Sequence, residues 1–356
     1  MRERLNVPFA QLTTLRVGGP AARLVEIESA SELCDFVIEF DQHSESEGMA
    51  GAGLLMLGGG SNLLVSDAGF SGTTVGIRTS GVSTRPEDES FVLIDVAAGE
   101  PWDEVVAWSV TEGLAGIETL SGIPGRTGAT PIQNVGAYGT EIGDVLESVR
   151  VLDRHNGEVG VLAADACGLG YRTSRFKAEP GRFVVLNVTL RLERDAARPI
   201  RYAELAGLLN VELGQRPPVA EVAAAVLELR RSKAMLLDPV DHDTWSAGSF
   251  FTNPIISAGV AGLLPTGVAT WAVDSLVKVS AAGLLEAAGF GRGFVLGAGE
   301  SAGRAGVSSR HALAITNRGQ ASAADVLDLA RVMRDEVRTR FGVDLEPEPT
   351  LVGVQL

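Results

Sequence analysis

Cysteine is almost missing from this chain: Cys34 and Cys167 are the only two among 356 residues, with no CxxC pair and no histidine at ligand-like spacing. That excludes a disulfide framework and a structural zinc site, so no metal is expected and a reducing, cytoplasmic setting is. Histidine is scarce as well. His43, His155, His242 and His311 are the full set, and no histidine neighbours Ser249 in the manner of a triad base, His242 lying seven residues upstream. Positive charge is in deficit. Thirty Lys and Arg against 45 Asp and Glu leave a net charge of -15, which argues against a nucleic-acid partner. It does not argue against a small anionic ligand, because a few basic groups can dominate their own cleft. Long apolar runs are lacking too: Val260 to Val273 is interrupted by glycines and Pro265. No membrane span is expected, and the opening MRERLNVPFAQLTTLRVGG has no apolar core of a secretory signal.

What is present suits a folded protein rather than a disordered one. Hydrophobic residues at 45% and charged ones at 21% can build cores and wet a surface, and the length suits two or three domains. Residues 31–40 predict a short helix capped by Ser31, and the acidic stretch at residues 44–48 reads as a solvated loop. Leu54 to Leu57 and Leu63 to Val65 read as strands around GGGSN, Phe91 to Ala97 as another, and Asp103 to Glu112 as a helix. A glycine-dense block, residues 113–143, has almost no period of either kind. Strands return at Ser148–Asp153, Val159–Leu162 and Phe183–Leu192. Val219, Val222, Ala223, Val226 and Leu229 form one helical stripe. The clearest element is the last helix, capped by Ser322 with Asp325 in its first turn, lined by Val326, Leu329, Met333 and Val337, and stopped at Gly342. The tail after it is extended and can return to an earlier domain.

Gly58-Gly59-Gly60-Ser61-Asn62 is the first chemical signal. Consecutive glycines let backbone N–H groups converge on phosphate oxygens, although a tight hairpin would also need them. A Rossmann reading fails, because the spacing is not GxGxxG and LLVSD looks like strand rather than helix. The second signal is longer: Ser121-Gly122-Ile123-Pro124-Gly125-Arg126-Thr127-Gly128-Ala129, then Gln133-Asn134-Val135-Gly136-Ala137-Tyr138-Gly139. So many glycines and amides suit backbone laid against a flat, polar-edged ring. Three cations in Tyr171-Arg172-Thr173-Ser174-Arg175-Phe176-Lys177 could grip a carboxylate, or could be a solvated strand end. Ser249, between Gly248 and two phenylalanines, could donate a proton or merely make a turn; Glu346-Pro347-Glu348-Pro349 could be a solvated tail.

Taken in order, TLRVGGPA, GGGSNLLVSDAGF, SGIPGRTGATPIQNVGAYG, YRTSRFK, GSFFTNP and LEPEP resemble the UDP-N-acetylenolpyruvylglucosamine reductase family over essentially the whole chain. The resemblance implies an α+β fold of the vanillyl-alcohol-oxidase (PCMH) type. Two α+β subdomains would hold non-covalent FAD and a third α+β domain would bind substrate. The implied division is 1–80 joined by the tail 342–356, then 81–232, then 233–341. The activity implied is NADPH-dependent reduction of UDP-N-acetylglucosamine enolpyruvate to UDP-N-acetylmuramate, by a monomer, for peptidoglycan precursor synthesis. By the same resemblance, Gly58 to Asn62 hold the FAD pyrophosphate. Ser121, Ile123, Pro124, Gly125, Gly128 and Ala129 line the flavin together with Gln133, Asn134, Gly136, Ala137, Tyr138 and Gly139. Arg172, Ser249 and Glu348 match the catalytic arginine, serine and glutamate. Tyr171, Lys177, Tyr202, Lys233 and Asn253 match substrate-binding positions, Tyr202 as the tyrosine of a loop that closes over substrate and Lys233 as a lysine reaching the UDP phosphates. After Glu348 the chain departs from the common family ending: Pro349-Thr350-Leu351 follows.

Two rivals stand beside this reading. A flavin oxidase of the same fold often tethers FAD through His or Cys, and all four histidines and both cysteines lie outside the glycine loops. An inactive flavin- or nucleotide-sugar-binding protein would have no use for a proton donor such as Ser249.

Overall fold

The computed structural model describes residues 1–46, 53–194, 197–297 and 303–356. By internal contacts the chain forms two units, each assembled from separated segments. The first comprises Met1–Asn6, Ala22–Gly59 and Ser71–Arg231; the second comprises Val7–Ala21, Gly60–Phe70 and Ser232–Leu356. Gly59 and Gly60 therefore mark a crossing of the chain from one unit to the other.

The first unit is α+β. One sheet runs in the order Arg2–Pro8, Pro20–Ile27, Phe70–Ile77, Leu54–Leu57, the last two strands parallel. The larger sheet is antiparallel and runs Glu158–Ala163, Leu146–Asp153, Phe183–Arg194, Phe91–Ala97, Val82–Pro86. Phe183–Arg194 is its longest strand, and Val184, Leu186, Val188, Leu190 and Leu192 are buried at every second residue, as a half-buried strand requires. These side chains share a core with Trp102 and Val106 of the helix Trp102–Thr111 and with Leu33 and Val37 of the helix Ala30–Ser46. Each fully buried Leu or Val contributes roughly 1.5–3 kcal/mol of transfer free energy.

The helix read over 31–40 is longer than expected and begins earlier. It spans Ala30–Ser46, and the capping hydroxyl is that of Ser29, which accepts from the Glu32 N–H at 3.5 Å; Ser31 lies within the helix. The Arg154 guanidinium grips the Asp41 carboxylate with both Nε and Nη2, at 2.9 and 2.6 Å. The solvated loop expected at residues 44–48 is helical as far as Ser46, and residues 47 and 48 lie outside the described residues. Across residues 113–143 no element exceeds three residues; the chain turns through Glu118–Leu120, Thr127–Ala129 and Ile142–Asp144.

In the second unit the helix Ala323–Phe341 follows its sequence pattern. Ser322 and Asp325 form a reciprocal capping box, and Gly342 closes the helix at φ 65°. Val326, Leu329, Met333 and Val337 are fully buried against Phe250, Phe251 and Ile315. After Glu348 the tail forms the strand Thr350–Val352, which pairs in parallel with Leu63–Val65. The tail thus pairs with the segment that follows the glycine turn.

Candidate active site

The strands on either side of GGGSN do not pair with each other. Leu54–Leu57 pairs with Phe70–Ile77, and Leu63–Val65 pairs with Thr350–Val352. A hairpin explanation for the glycines therefore fails, and close packing replaces it. A Cβ on Gly59 would stand 2.6 Å from the Gly125 Cα, so the first glycine loop lies backbone to backbone on the second. Gly60, at φ 64°, has its carbonyl engaged by the Thr14 N–H at 3.2 Å, and the Ser61 carbonyl accepts from the Thr14 hydroxyl at 3.4 Å. Among the described residues, the N–H groups of Gly59, Gly60 and Ser61 donate to no acceptor. Three successive amides with free hydrogen-bonding capacity in a glycine turn fit a phosphate-bearing group such as the FAD pyrophosphate.

Charge supports that fit. Arg78 donates to the Gly58 carbonyl at 3.1 Å, and the Arg126 side chain packs against Gly58 while its Nη1 donates to the Gly99 carbonyl at 2.8 Å. Burial, and then the nearby Arg78 charge, pull the Arg126 guanidinium below its ordinary pKa. Two neighbouring guanidinium groups in an acidic protein favour an anion between or beside them. Arg126 sits inside the quoted glycine block; Arg78 carried no signal, since only the pairing of Leu54–Leu57 with Phe70–Ile77 brings its strand to the loop.

The remaining predicted flavin-lining residues form a continuous stretch of turns. Ser121 is buried and its hydroxyl donates to the Glu118 carbonyl at 2.7 Å. Ile123 packs on the large core, and Pro124 and Gly125 lead to the contact with Gly59. Gly128 and Ala129 occupy the turn Thr127–Ala129, and the Gly128 N–H donates to the Ala98 carbonyl. Gly136–Ala137 pairs with Thr140–Glu141 across a two-residue turn in which Tyr138 and Gly139 both have positive φ, 51° and 87°. That is the type I′ sign pattern, and a tyrosine in it is strained by on the order of 1–2 kcal/mol. Tyr138 is held from two sides. Its ring meets Tyr202 edge-on at 5.4 Å, and its hydroxyl pairs with Arg230, whose guanidinium burial drives below its ordinary pKa. Arg230 lies in the last turn of the helix Val219–Ser232.

The structure joins YRTSRFK to the glycine block. The Ser174 hydroxyl donates to the Ile132 carbonyl at 2.7 Å, and Lys177 Nζ reaches the Gln133 side-chain oxygen at 3.5 Å and the Arg172 carbonyl at 3.1 Å. Arg172 Nη1 and Nη2 donate to the carbonyls of Asn134 and Gly136, at 3.3 and 2.7 Å. Arg172 itself has φ 52°, in a tight turn where the N–H of Gly170 and that of Thr173 each donate to the other residue's carbonyl. The half-buried Arg172 is thus no solvated strand end. Tyr171 lies beside it, its ring 5.6 Å from the guanidinium carbon.

In the second unit three motifs converge through the backbone. Ser249 ends the strand Ser246–Ser249; the next residue, Phe250, accepts from the Glu348 N–H at 2.9 Å. Thr252 N–H donates to the Glu346 carbonyl at 3.0 Å, and Asn62 Nδ2 donates to the Glu348 carbonyl at 3.2 Å. LEPEP is therefore ordered beside GSFFTNP and the end of GGGSN. Asn253 Oδ1 accepts from the Ala281 N–H at 2.9 Å, and Lys233 follows directly on the helix Val219–Ser232. Tyr202 is 39% exposed, at the start of the helix Ala203–Leu209. No group of His, Cys, Asp and Glu able to hold a metal occurs among the described residues, and no described helix is long and apolar enough to cross a membrane.

Comparisons with known proteins agree with this geometry. Residues 21–162 match the model of an FAD binding domain, and residues 238–352 match that of the UDP-N-acetylenolpyruvoylglucosamine reductase C-terminal domain. The chain is 50% identical to the UDP-N-acetylenolpyruvoylglucosamine reductase of Saccharopolyspora erythraea over 98% of its own length and 95% of the relative's. It is 49% identical to that of Thermobifida fusca, over 99% and 98%. Among solved structures, the reductase of Thermus caldophilus superposes with a TM-score of 0.65 at 28% identity, over 99% of both chains.

Proposed function

The chain belongs to the UDP-N-acetylenolpyruvoylglucosamine reductase family, and from that premise we propose how its residues carry the reaction. It is a flavin-dependent UDP-N-acetylmuramate dehydrogenase of the α+β FAD-binding type, and it reduces UDP-N-acetylglucosamine enolpyruvate with NADPH in peptidoglycan precursor synthesis. The observation that carries the assignment of roles is the bonding of Arg172 to the carbonyls of Asn134 and Gly136, which makes the cationic motif and the flavin-lining loop one folded piece.

FAD, when bound, supplies to the substrate the hydride it has received from NADPH. Gly58 to Asn62 hold its pyrophosphate through backbone N–H groups, with Arg78 and Arg126 adding charge, and the two parts of the glycine block line its ring. The enol-ether double bond is electron-rich and accepts hydride only when its carboxylate is polarised. Arg172 grips that carboxylate with a guanidinium edge and stabilises the charge that builds there. Glu348 assists as a protonated or hydrogen-bonded partner. The Ser249 hydroxyl gives a proton to the carbon next to the one receiving hydride, so that H⁻ and H⁺ together saturate the bond. Tyr171, Lys177 and Asn253 contact the substrate, Lys233 its phosphates, and Tyr202 closes over it. We assign the tail 342–356 to the N-terminal domain 1–80, beside 81–232 and 233–341; support for the tail comes from the pairing of Thr350–Val352 with Leu63–Val65. We place the protein in the cytoplasm as a monomer that uses neither membrane nor nucleic acid.

The test is spectroscopic. Purified protein should carry acid-releasable flavin absorbance that NADPH bleaches and the enolpyruvyl sugar restores. Rapid recolouring by dioxygen alone would favour an oxidase instead.

A further inference from the structure

Asn134 is 2% exposed and lies in the left-handed region at φ 42°. Its Nδ2 donates to Glu141 Oε2 at 2.7 Å and to the Gly170 carbonyl at 3.0 Å, while its Oδ1 accepts from the Gly143 N–H at 2.9 Å. Two acceptors on one side and a donor on the other fix which atom is nitrogen, and both amide donors are committed inside the protein. Gly170 opens the turn that presents Arg172, and the carbonyl of Asn134 itself accepts from Arg172 Nη1. Asn134 therefore touches the arginine's turn through its side chain and the guanidinium through its backbone. Glu141 anchors the other end of the clasp, since its side chain also accepts from the Asp144 N–H in a capping box around the turn Ile142–Asp144.

We infer that Asn134, held by Glu141, is the positioning residue for Arg172: the clasp fixes the strained turn at Gly170–Thr173 and so aims the guanidinium at the substrate carboxylate. This rests on the reading of Arg172 given above. A guanidinium fork grips a carboxylate in one plane, and a shift of about an ångström in such a group can lower the rate ~100-fold. Relaxation of the turn is expected without the clasp, because Arg172 at φ 52° occupies a conformation that persists only where its surroundings impose it.

The experiment is a double-mutant cycle on FAD-loaded full-length protein, with Asn134→Ala and Arg172→Lys singly and together. Flavin per chain, flavin reduction by NADPH, and reoxidation by the enolpyruvyl substrate are each followed. Judged per bound flavin, the inference expects Asn134→Ala to slow reoxidation by the substrate ~10- to 100-fold more than it slows reduction by NADPH. It also expects little further loss when the substitution is added to Arg172→Lys. Wild-type reoxidation in Asn134→Ala, or full multiplication of the two losses, would overturn it while leaving the role of Arg172 intact. An Arg172→Lys enzyme with normal reoxidation would instead sink the reading of Arg172 itself. Should Asn134→Ala lose all flavin or fail to fold, Glu141→Ala decides. That variant removes the carboxylate that holds the Asn134 amide, so slowed reoxidation of the bound flavin supports the clasp and unchanged reoxidation refutes it.

Discussion

The Glu348 N–H donates to the Phe250 carbonyl at 2.9 Å, which ties the acidic tail to the residue immediately after Ser249. A hydroxyl and a carboxylate that are 99 positions apart in sequence (348 minus 249) are thereby placed on adjoining backbone. Ser249→Ala removes only the hydroxyl and leaves that backbone bond in place. The expected outcome is flavin reduction by NADPH near the wild-type rate, with the oxidative half-reaction slowed by ~10²–10⁴-fold, the usual worth of a general acid. Stopped-flow absorbance at the flavin band separates the two halves, and equal slowing of both would remove Ser249 from the role of proton donor.

Arg172→Ala should lower turnover with the enolpyruvyl substrate by a comparable factor and leave FAD content largely unchanged. The guanidinium bonds to the carbonyls of Asn134 and Gly136, so some loosening of the loop is expected, but the pyrophosphate contacts at Gly58 to Asn62 remain. Flavin content from the absorbance ratio of purified protein is the check. An apoprotein would make Arg172 a structural residue.

Much of this was legible in the sequence where the physics is local. The capping box at Ser322 and Asp325, the buried stripe on Ala323–Phe341 and the alternation in Phe183–Arg194 each follow from spacing along one element. What escaped depends on partners far away in sequence. Leu54–Leu57 and Leu63–Val65 looked like two arms of one turn, yet their strand partners assign them to different sheets. The helix Ala30–Ser46 continues past residue 40 beside the hold of Arg154 on Asp41, 113 positions away. Arg78, Arg230 and the clasp of Asn134 on Glu141 went unread for the same reason: an ordinary arginine or asparagine acquires its role from what the fold brings beside it.

Gly59→Ala should weaken FAD retention. The added Cβ would stand 2.6 Å from the Gly125 Cα, and backbone cannot yield as a flexible side chain can, so the two glycine loops must part. Expected readouts are less flavin per chain and a raised Kd on titration of apoprotein with FAD, with substrate-side residues untouched. Normal flavin content would place the pyrophosphate elsewhere.

Cys167 is buried, and burial pushes its thiol up to about 11. The neutral form is therefore favoured in the folded protein. In the unfolded chain the thiol ionises first, so its contribution to stability is complete below the ordinary thiol pKa and is lost as pH rises toward 11. Urea denaturation should show stability falling between pH 9 and 11, with a shallower fall in Cys167→Ala after other alkaline-titrating groups are matched. Folded protein at pH 8 should also resist alkylation at this site.

Asp67 lies in GGGSNLLVSDAGF, five residues beyond the loop Gly58 to Asn62 that was read as cofactor-binding, and its carboxylate is engaged elsewhere. Its Oδ1 accepts from the Ala323 N–H at 2.8 Å and its Oδ2 from the Ala324 N–H at 3.0 Å, 256 and 257 positions along the chain. Ser322 takes the next donor, Asp325 N–H, at 3.1 Å. All three amides opening the last long helix are thus satisfied, and a negative charge sits at the positive end of its dipole. Asp67→Ala should lower stability by about 1–2 kcal/mol, the size of a lost helix cap reinforced by charge. Flavin content per folded molecule should not change, because the loop of Gly58 to Asn62 binds through its own backbone. Urea titration followed by fluorescence gives the first quantity and flavin absorbance the second. A variant with normal stability and depleted flavin would reverse the assignment and give Asp67 a part in holding the cofactor.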